Sequence, residues 1–125
     1  MDAFRHVNNI VYFRWFESAR IAYLDAIGFR GSDSPLGPIL ASTQCRFRRP
    51  LAYPDSVRIG ARTTHIARDR FTMEYRVVSD SLGAVAAEGG GVIVAYDYEA
   101  GRRADLPADV RARMRDLDPG AVEEG

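Results

Sequence analysis

Apolar residues recur with two different periods along this chain. Between Asn9 and Ile27, Tyr12, Phe16, Ala19, Tyr23 and Ala26 fall three or four positions apart, and Trp15 and Ala22 widen the stripe. The spacing predicts a helix of about 19 residues, roughly 28 Å long. Asn8 or Asn9 can cap its start by accepting from an unpaired backbone N–H. Gly28 stands where a helix commonly ends in the left-handed conformation. From about Ile39 onward the period shortens to two. Val57, Ile59, Ala61 and Thr63 alternate with Arg58, Arg62 and Thr64, and Phe71, Met73, Tyr75 and Val77 share one face. Four strands are predicted, over about 39–48, 56–67, 70–79 and 84–98. The loop 31–38 and the turns 49–55 and 79–83 separate them.

The short joins predict antiparallel neighbours in a four-stranded meander. Gly89-Gly90-Gly91 falls inside the last strand and predicts a bulge, a bend or the close approach of another backbone. Pro107 opens a short C-terminal helix to about Leu117. The expected class is α+β: one long helix laid by its apolar stripe on one face of the sheet. No internal repeat or low-complexity segment divides the chain, so residues 1–125 are read as one domain.

Composition narrows the function. The 17 basic residues, all Arg, balance 17 acidic ones. A zero net charge argues against a nucleic-acid partner. Any phosphate contact must use Arg, a backbone N–H or a hydroxyl. Cys45 is the single cysteine, so no internal disulfide forms. No apolar run reaches the roughly 20 residues that span a bilayer. The first residues carry Asp2, Arg5 and His6 rather than an apolar leader, so a cytoplasmic protein is expected, with no membrane partner.

The N-terminal stretch reads Asp2-Ala3-Phe4-Arg5-His6-Val7-Asn8-Asn9-Ile10-Val11-Tyr12, then Phe13-Arg14-Trp15-Phe16-Glu17-Ser18-Ala19-Arg20. An Asp, a short turn, His-Val-Asn-Asn, an aromatic residue and a Phe-Glu-x-Ala-Arg helix follow one another. This resembles the signature of the 4-hydroxybenzoyl-CoA thioesterase branch of the hotdog superfamily. The resemblance implies a hotdog fold, a long central helix wrapped by a curved antiparallel sheet. It also implies a strand ahead of the Asp turn. Met1 directly precedes Asp2, so the fold is expected to be short of that first strand.

The activity implied is hydrolysis of acyl-CoA thioesters in a homodimer or homotetramer, with a pocket between protomers. Asp2 is then the nucleophile or general base, and the Asn9 backbone N–H, at the positive end of the helix, is the oxyanion donor. His6 orients Asp2 or the substrate, or is a turn histidine bonded to backbone. Asn8, Tyr12 and Glu17 are expected near the substrate, although Glu17 could equally form an ion pair with Arg20, three residues on. Arg68 and Arg70 are expected at the phosphates of CoA. Arg46, Arg48 and Arg49 also cluster, and are read more simply as a solvated strand end. Cys45 with His65 suggests a nucleophile pair, but a buried apolar Cys is the better reading. No metal-ligand spacing or nucleotide-binding glycine motif occurs, so no metal and no cofactor are expected beyond the CoA of the substrate. Two other readings are a hotdog module that binds acyl-CoA without cleaving it and a hotdog hydratase.

Overall fold

The computed structural model of the protein describes residues 7–30 and 34–124. Helix α1 runs Asn9–Ala26, within a residue of its expected bounds. Asn8 caps it: the side-chain Oδ1 accepts from the Ile10 N–H at 2.9 Å. At the other end Gly28 has φ +69°, the left-handed value a Cβ would disfavour. Tyr12, Phe16, Tyr23 and Leu24 are its buried residues. Ala22 and Ala26, expected on the stripe, are exposed, and Leu24 and Ile27 are buried instead. The buried stripe therefore turns toward the larger side chains at the helix end.

Strands β1 (Leu36–Phe47), β2 (Val57–Ile66), β3 (Arg70–Ser79) and β4 (Ala84–Asp97) follow. Then come β5 (Arg102–Arg103), helix α2 (Ala108–Leu117) and β6 (Val122–Glu123). The four long strands pair antiparallel, but the order is β1-β4-β3-β2-β6, with β5 beside β4. The simple meander is thus corrected. Only β2, β3 and β4 follow one another, and β1 joins the outer edge of β4. The reason lies at the end of β1, where the Arg48 and Arg49 N–H groups both donate to the Ala86 carbonyl, at 2.8 and 3.0 Å. That turn carries residues 48–56 across the end of the sheet. β6 lies parallel to β2 at His65 and Ile66, so the six-stranded sheet is mixed rather than wholly antiparallel.

The glycine run does not interrupt β4. The register of β4 with β1 shifts at Leu40/Ser42 instead. A Cβ on Gly89 would lie 2.4 Å from the Gln44 carbonyl oxygen and 2.5 Å from Cε2 of Phe16. Glycine at this position therefore lets the helix aromatic seat directly on the sheet. Phe16 also stacks on Tyr75, with centroids 4.8 Å apart at 21°. Phe71, Met73, Tyr75 and Val77 are all buried beneath α1, as the alternation predicts. Each such side chain contributes about 1.5–3 kcal/mol by leaving water. Leu51, Leu106, Val110 and Met114 close the core from the 48–56 turn and α2.

Candidate active site

The first turn of α1 borders a cavity of about 280 Å³ lined by Val7, Asn9, Tyr12, Phe47, Arg48, Arg49 and Pro50. Two elements form it. The Val7 N–H donates to the Leu51 carbonyl at 2.9 Å, which pins the chain leading into the helix against the turn after β1. Tyr12 then packs edge-on against Phe47, at 5.0 Å and 84°, and against Trp15, at 5.4 Å and 72°. Tyr12 is only 2% exposed, so its ring is mainly cavity wall. Burial raises its pKa, partly opposed by a hydrogen bond from the Leu51 backbone and reinforced by Cys45.

The helix end itself is electrically open. Asn8 satisfies the Ile10 N–H, and the Val11 N–H reaches the Asn8 carbonyl at 3.0 Å. Among the described residues the Asn9 N–H has no acceptor, and the first turn holds no acidic residue. A carbonyl oxygen brought here would meet the positive end of the helix dipole and a donor that has no acceptor among the described residues.

The structure groups the expected site residues unevenly. Asn8, Asn9 and Tyr12 come together at the cavity. Asp2 and His6 lie outside the described residues. Glu17 is exposed on α1. It makes no ion pair with Arg20, which instead points Nη1 at the Tyr75 hydroxyl, 3.4 Å away. Arg68 and Arg70 sit at the turn joining β2 to β3, beside the other end of α1, where Tyr23 meets Phe71. Within one chain they do not reach the cavity. Each is already paired, Arg68 with Asp105 at 3.2 Å and Arg70 with Asp69 at 2.9 Å.

Cys45 and His65 stand on β1 and β2, three strand steps apart or roughly 14 Å. Burial raises the pKa of the Cys45 thiol, which disfavours the nucleophilic thiolate. Among the described residues no three His, Cys, Asp or Glu side chains gather as a metal site. No helix there is long and apolar enough to cross a membrane.

Two features escaped the sequence reading. Arg48 and Arg49 line the cavity, a role their place at a strand end only hinted at. A buried network also links three distant elements: the Thr63 hydroxyl donates to the Tyr23 hydroxyl at 2.6 Å, which donates to Asp118 Oδ2 at 2.8 Å. The Thr63 N–H donates to the same carboxylate oxygen at 3.0 Å. No periodicity could have shown it. A second cavity of about 300 Å³ adjoins this network, lined by residues of β2 and 117–121, and a third of about 250 Å³ lies over β2 and β3. Neither includes a residue of the first turn of α1.

Residues 1–114 match the sequence profile of the thioesterase-like superfamily. Among solved structures, the chain is 34% identical to a thioesterase from Thermus thermophilus in complex with coenzyme A and zinc. That likeness has a TM-score of 0.81 over 95% of this chain and 86% of the other. A thioesterase-superfamily protein from Jannaschia sp. CCS1 is 28% identical, with a TM-score of 0.84 over 99% of this chain and 79% of its own. A protein of Aquifex aeolicus (strain VF5), provisionally named an esterase, is 28% identical over 118 residues, covering 92% of this chain and 89% of that protein.

Proposed function

The chain belongs to the thioesterase-like superfamily, and from that premise we propose that it hydrolyses acyl-CoA thioesters to a free carboxylic acid and coenzyme A. The observation that carries the reading is the under-paired N-terminus of α1 opening on the cavity beside Asn9 and Tyr12. The hotdog-type relative that holds coenzyme A supports the substrate class.

In this reading the thioester carbonyl points its oxygen at the Asn9 N–H. The donor and the helix dipole stabilise the negative charge that develops there, and one such donor is worth about 10²–10³ in turnover. Asp2 drives the attack on the carbonyl carbon by one of two routes. Its carboxylate can add to the carbonyl and expel the CoA sulfur, giving an anhydride that water then opens. Or it can take a proton from a water molecule that attacks directly. In both, the C–S bond breaks, the water oxygen is consumed and the sulfur leaves as the thiol. His6 orients the carboxylate or the substrate. Asn8 holds the helix end in place, Tyr12 walls the cavity, and Glu17 faces the substrate from the next turns. The enzyme works as a homodimer or homotetramer, a state supported by the outer edge of β1, which has no strand partner among the described residues.

The test is thiol release from a panel of aliphatic and aromatic acyl-CoAs, read with 5,5′-dithiobis(2-nitrobenzoate). Asp2→Asn should lower turnover by about 10²–10⁴. Unchanged turnover would remove Asp2 from the chemistry. Acyl-CoA binding without thiol release, in the parent protein, would make this a binding module instead.

A further inference from the structure

We propose that the face of the sheet turned away from α1 is an interface between two copies of this chain, packed sheet against sheet about a twofold axis that crosses the strands. Charge and side-chain volume carry the inference, which goes beyond the thioesterase reading and does not depend on it.

On that face lies a glycine that the chain itself does not require. A Cβ on Gly90 would lie 2.7 Å from the Met73 carbonyl oxygen, and one on Gly91 2.8 Å from that of Ser42. Gly28, Gly83 and Gly101 have positive φ. Gly60 has neither reason: its φ is not positive, and a Cβ there would meet no atom within 4 Å. It stands exposed inside β2, where it lines the cavity of about 250 Å³ over β2 and β3. Ile59 and Ala61 on either side pack against the core, so this position faces away from α1. A glycine inside a strand gives up side-chain packing, and it often marks a place where another surface comes close.

Two rows of residues cross this face. Strand pairing places Arg46, Glu88, Arg76 and Gly60 in one row and Gln44, Gly90, Glu74 and Arg62 in the next. Sheets packed face to face stand about 10 Å apart, so opposed side chains share one gap. A twofold axis between the rows lays each row on the other row of the second copy. Arg76 then meets Glu74, Gly60 meets Arg62, Glu88 meets Gly90 and Arg46 meets Gln44. No like charges oppose, and each glycine faces a long side chain. A contact between identical surfaces requires a surface complementary to itself, and these rows meet that condition. Within one chain Arg62 bonds Glu74 at 3.0 Å, while Arg76 makes no ion pair among the described residues. The second copy supplies Arg76 with a carboxylate, and symmetry makes the contact twice. The outer edge of β1 is untouched, so a pair joined edge to edge can stack on a second pair.

The test is the mass of the whole protein in solution, by light scattering on a sizing column. Arg76→Glu sets carboxylate against carboxylate across the axis, and Glu74→Arg sets guanidinium against guanidinium. Each variant alone should show about half the parent's mass, because opposed like charges break a contact that symmetry repeats. Mixed in equal amounts, the two variants restore both contacts and should regain the parent's mass. That rescue requires two folded chains, and a melting curve for each variant checks the same point. Gly60→Tyr, which fills the gap at a position open within its own chain, should also halve the mass. Arg102→Glu, on β5 outside both rows, should keep it. A monomeric parent, variants of parental mass, or a mixture that stays at half mass would each overturn the interface. No hydrolysis is read here, so that result leaves the thioesterase reading standing. Masses as expected, without thiol release from any acyl-CoA, would keep the interface and overturn the thioesterase.

Discussion

The two ends of α1 are finished in opposite ways. At the C-terminal end the chain turns back on the helix and bonds to its last carbonyls. The Ile27, Gly28 and Phe29 N–H groups bond back to Tyr23, Asp25 and Leu24 at 2.9–3.1 Å. Arg113 donates to the Ile27 carbonyl at 3.2 Å, a cation placed on the negative end of the dipole. Tyr23, Thr63 and Asp118 then tie the helix to β2 and to the segment after α2. At the N-terminal end one Asn side chain caps one N–H, the first turn holds no acidic residue, and a cavity opens alongside. One helix thus has an end tied into the fold by side-chain bonds and an end that, among the described residues, carries a single side-chain cap. Substitutions at the two ends should separate stability from turnover.

The largest expected effect is the loss of turnover in Asp2→Asn, which should leave the melting temperature unchanged. Its counterpart at the closed end is Asp118→Ala. That substitution leaves the buried Tyr23 hydroxyl and the Thr63 N–H without their acceptor, and each such loss costs about 1–3 kcal/mol. The expected sum, roughly 3 kcal/mol, is about 10 °C in melting temperature for a domain of this size. Asp118→Asn, which keeps an acceptor oxygen, should recover part of it. Below the melting transition, turnover by Asp118→Ala should match the parent. If Asp118→Ala lowers turnover while the protein stays folded, the division between the two ends fails.

Asn8→Ala sits on the boundary and should move both quantities, each modestly. Losing the cap costs about 1 kcal/mol of stability. It also frees the first turn that presents the Asn9 N–H. Turnover should therefore fall with little change in KM, because the donor acts mainly on the charge that develops in the transition state. Asn8→Asp keeps the cap acceptor and should restore stability. It adds a negative charge beside the proposed oxyanion, so turnover should stay low. Full recovery of turnover in Asn8→Asp would argue that the helix end carries no catalytic electrostatics.

How much of this was legible in the sequence follows from the range of each interaction. Helix α1 was legible because its period, its Asn cap and Gly28 are local signals. The buried face of β3 was legible because alternation fixes which side of a sheet a residue occupies. Alternation does not say which strand lies alongside, so the place of β1 beside β4 was missed. β5 and β6 are two residues long and have no period to read. The Tyr23–Asp118 bond joins residues 95 positions apart, and nothing near either residue announces it. At the site, Asn8 and Asn9 were readable as a helix start. The arginines at the end of β1 were visible as a cluster, but only the structure shows that Arg48 and Arg49 line the cavity and that Arg48 pairs with Glu88.

The smallest expected effect lies at the far margin of the closed end. Glu123 accepts from Arg115 Nε at 2.7 Å and from Arg111 Nη2 at 3.1 Å. These bonds, Arg115 first, lower its carboxyl to about 2. A depressed carboxyl favours the folded chain where it is ionised. The contribution is therefore complete above the ordinary carboxyl value of 4.5 and is lost as pH falls from there to about 2. Glu123 and Arg115 are exposed and screened by salt, so the change should stay local to residues 118–124 rather than unfold the domain. Amide exchange of the Glu124 N–H, which donates to the Ile66 carbonyl at 2.8 Å, should report it. Protection should hold at pH 5, after correction for intrinsic exchange, and fall as pH approaches 2. Glu123→Gln should lack this step while turnover at neutral pH stays at the parent level. An unchanged step in Glu123→Gln would mean that another carboxylate holds the segment, with Asp118 the next to test.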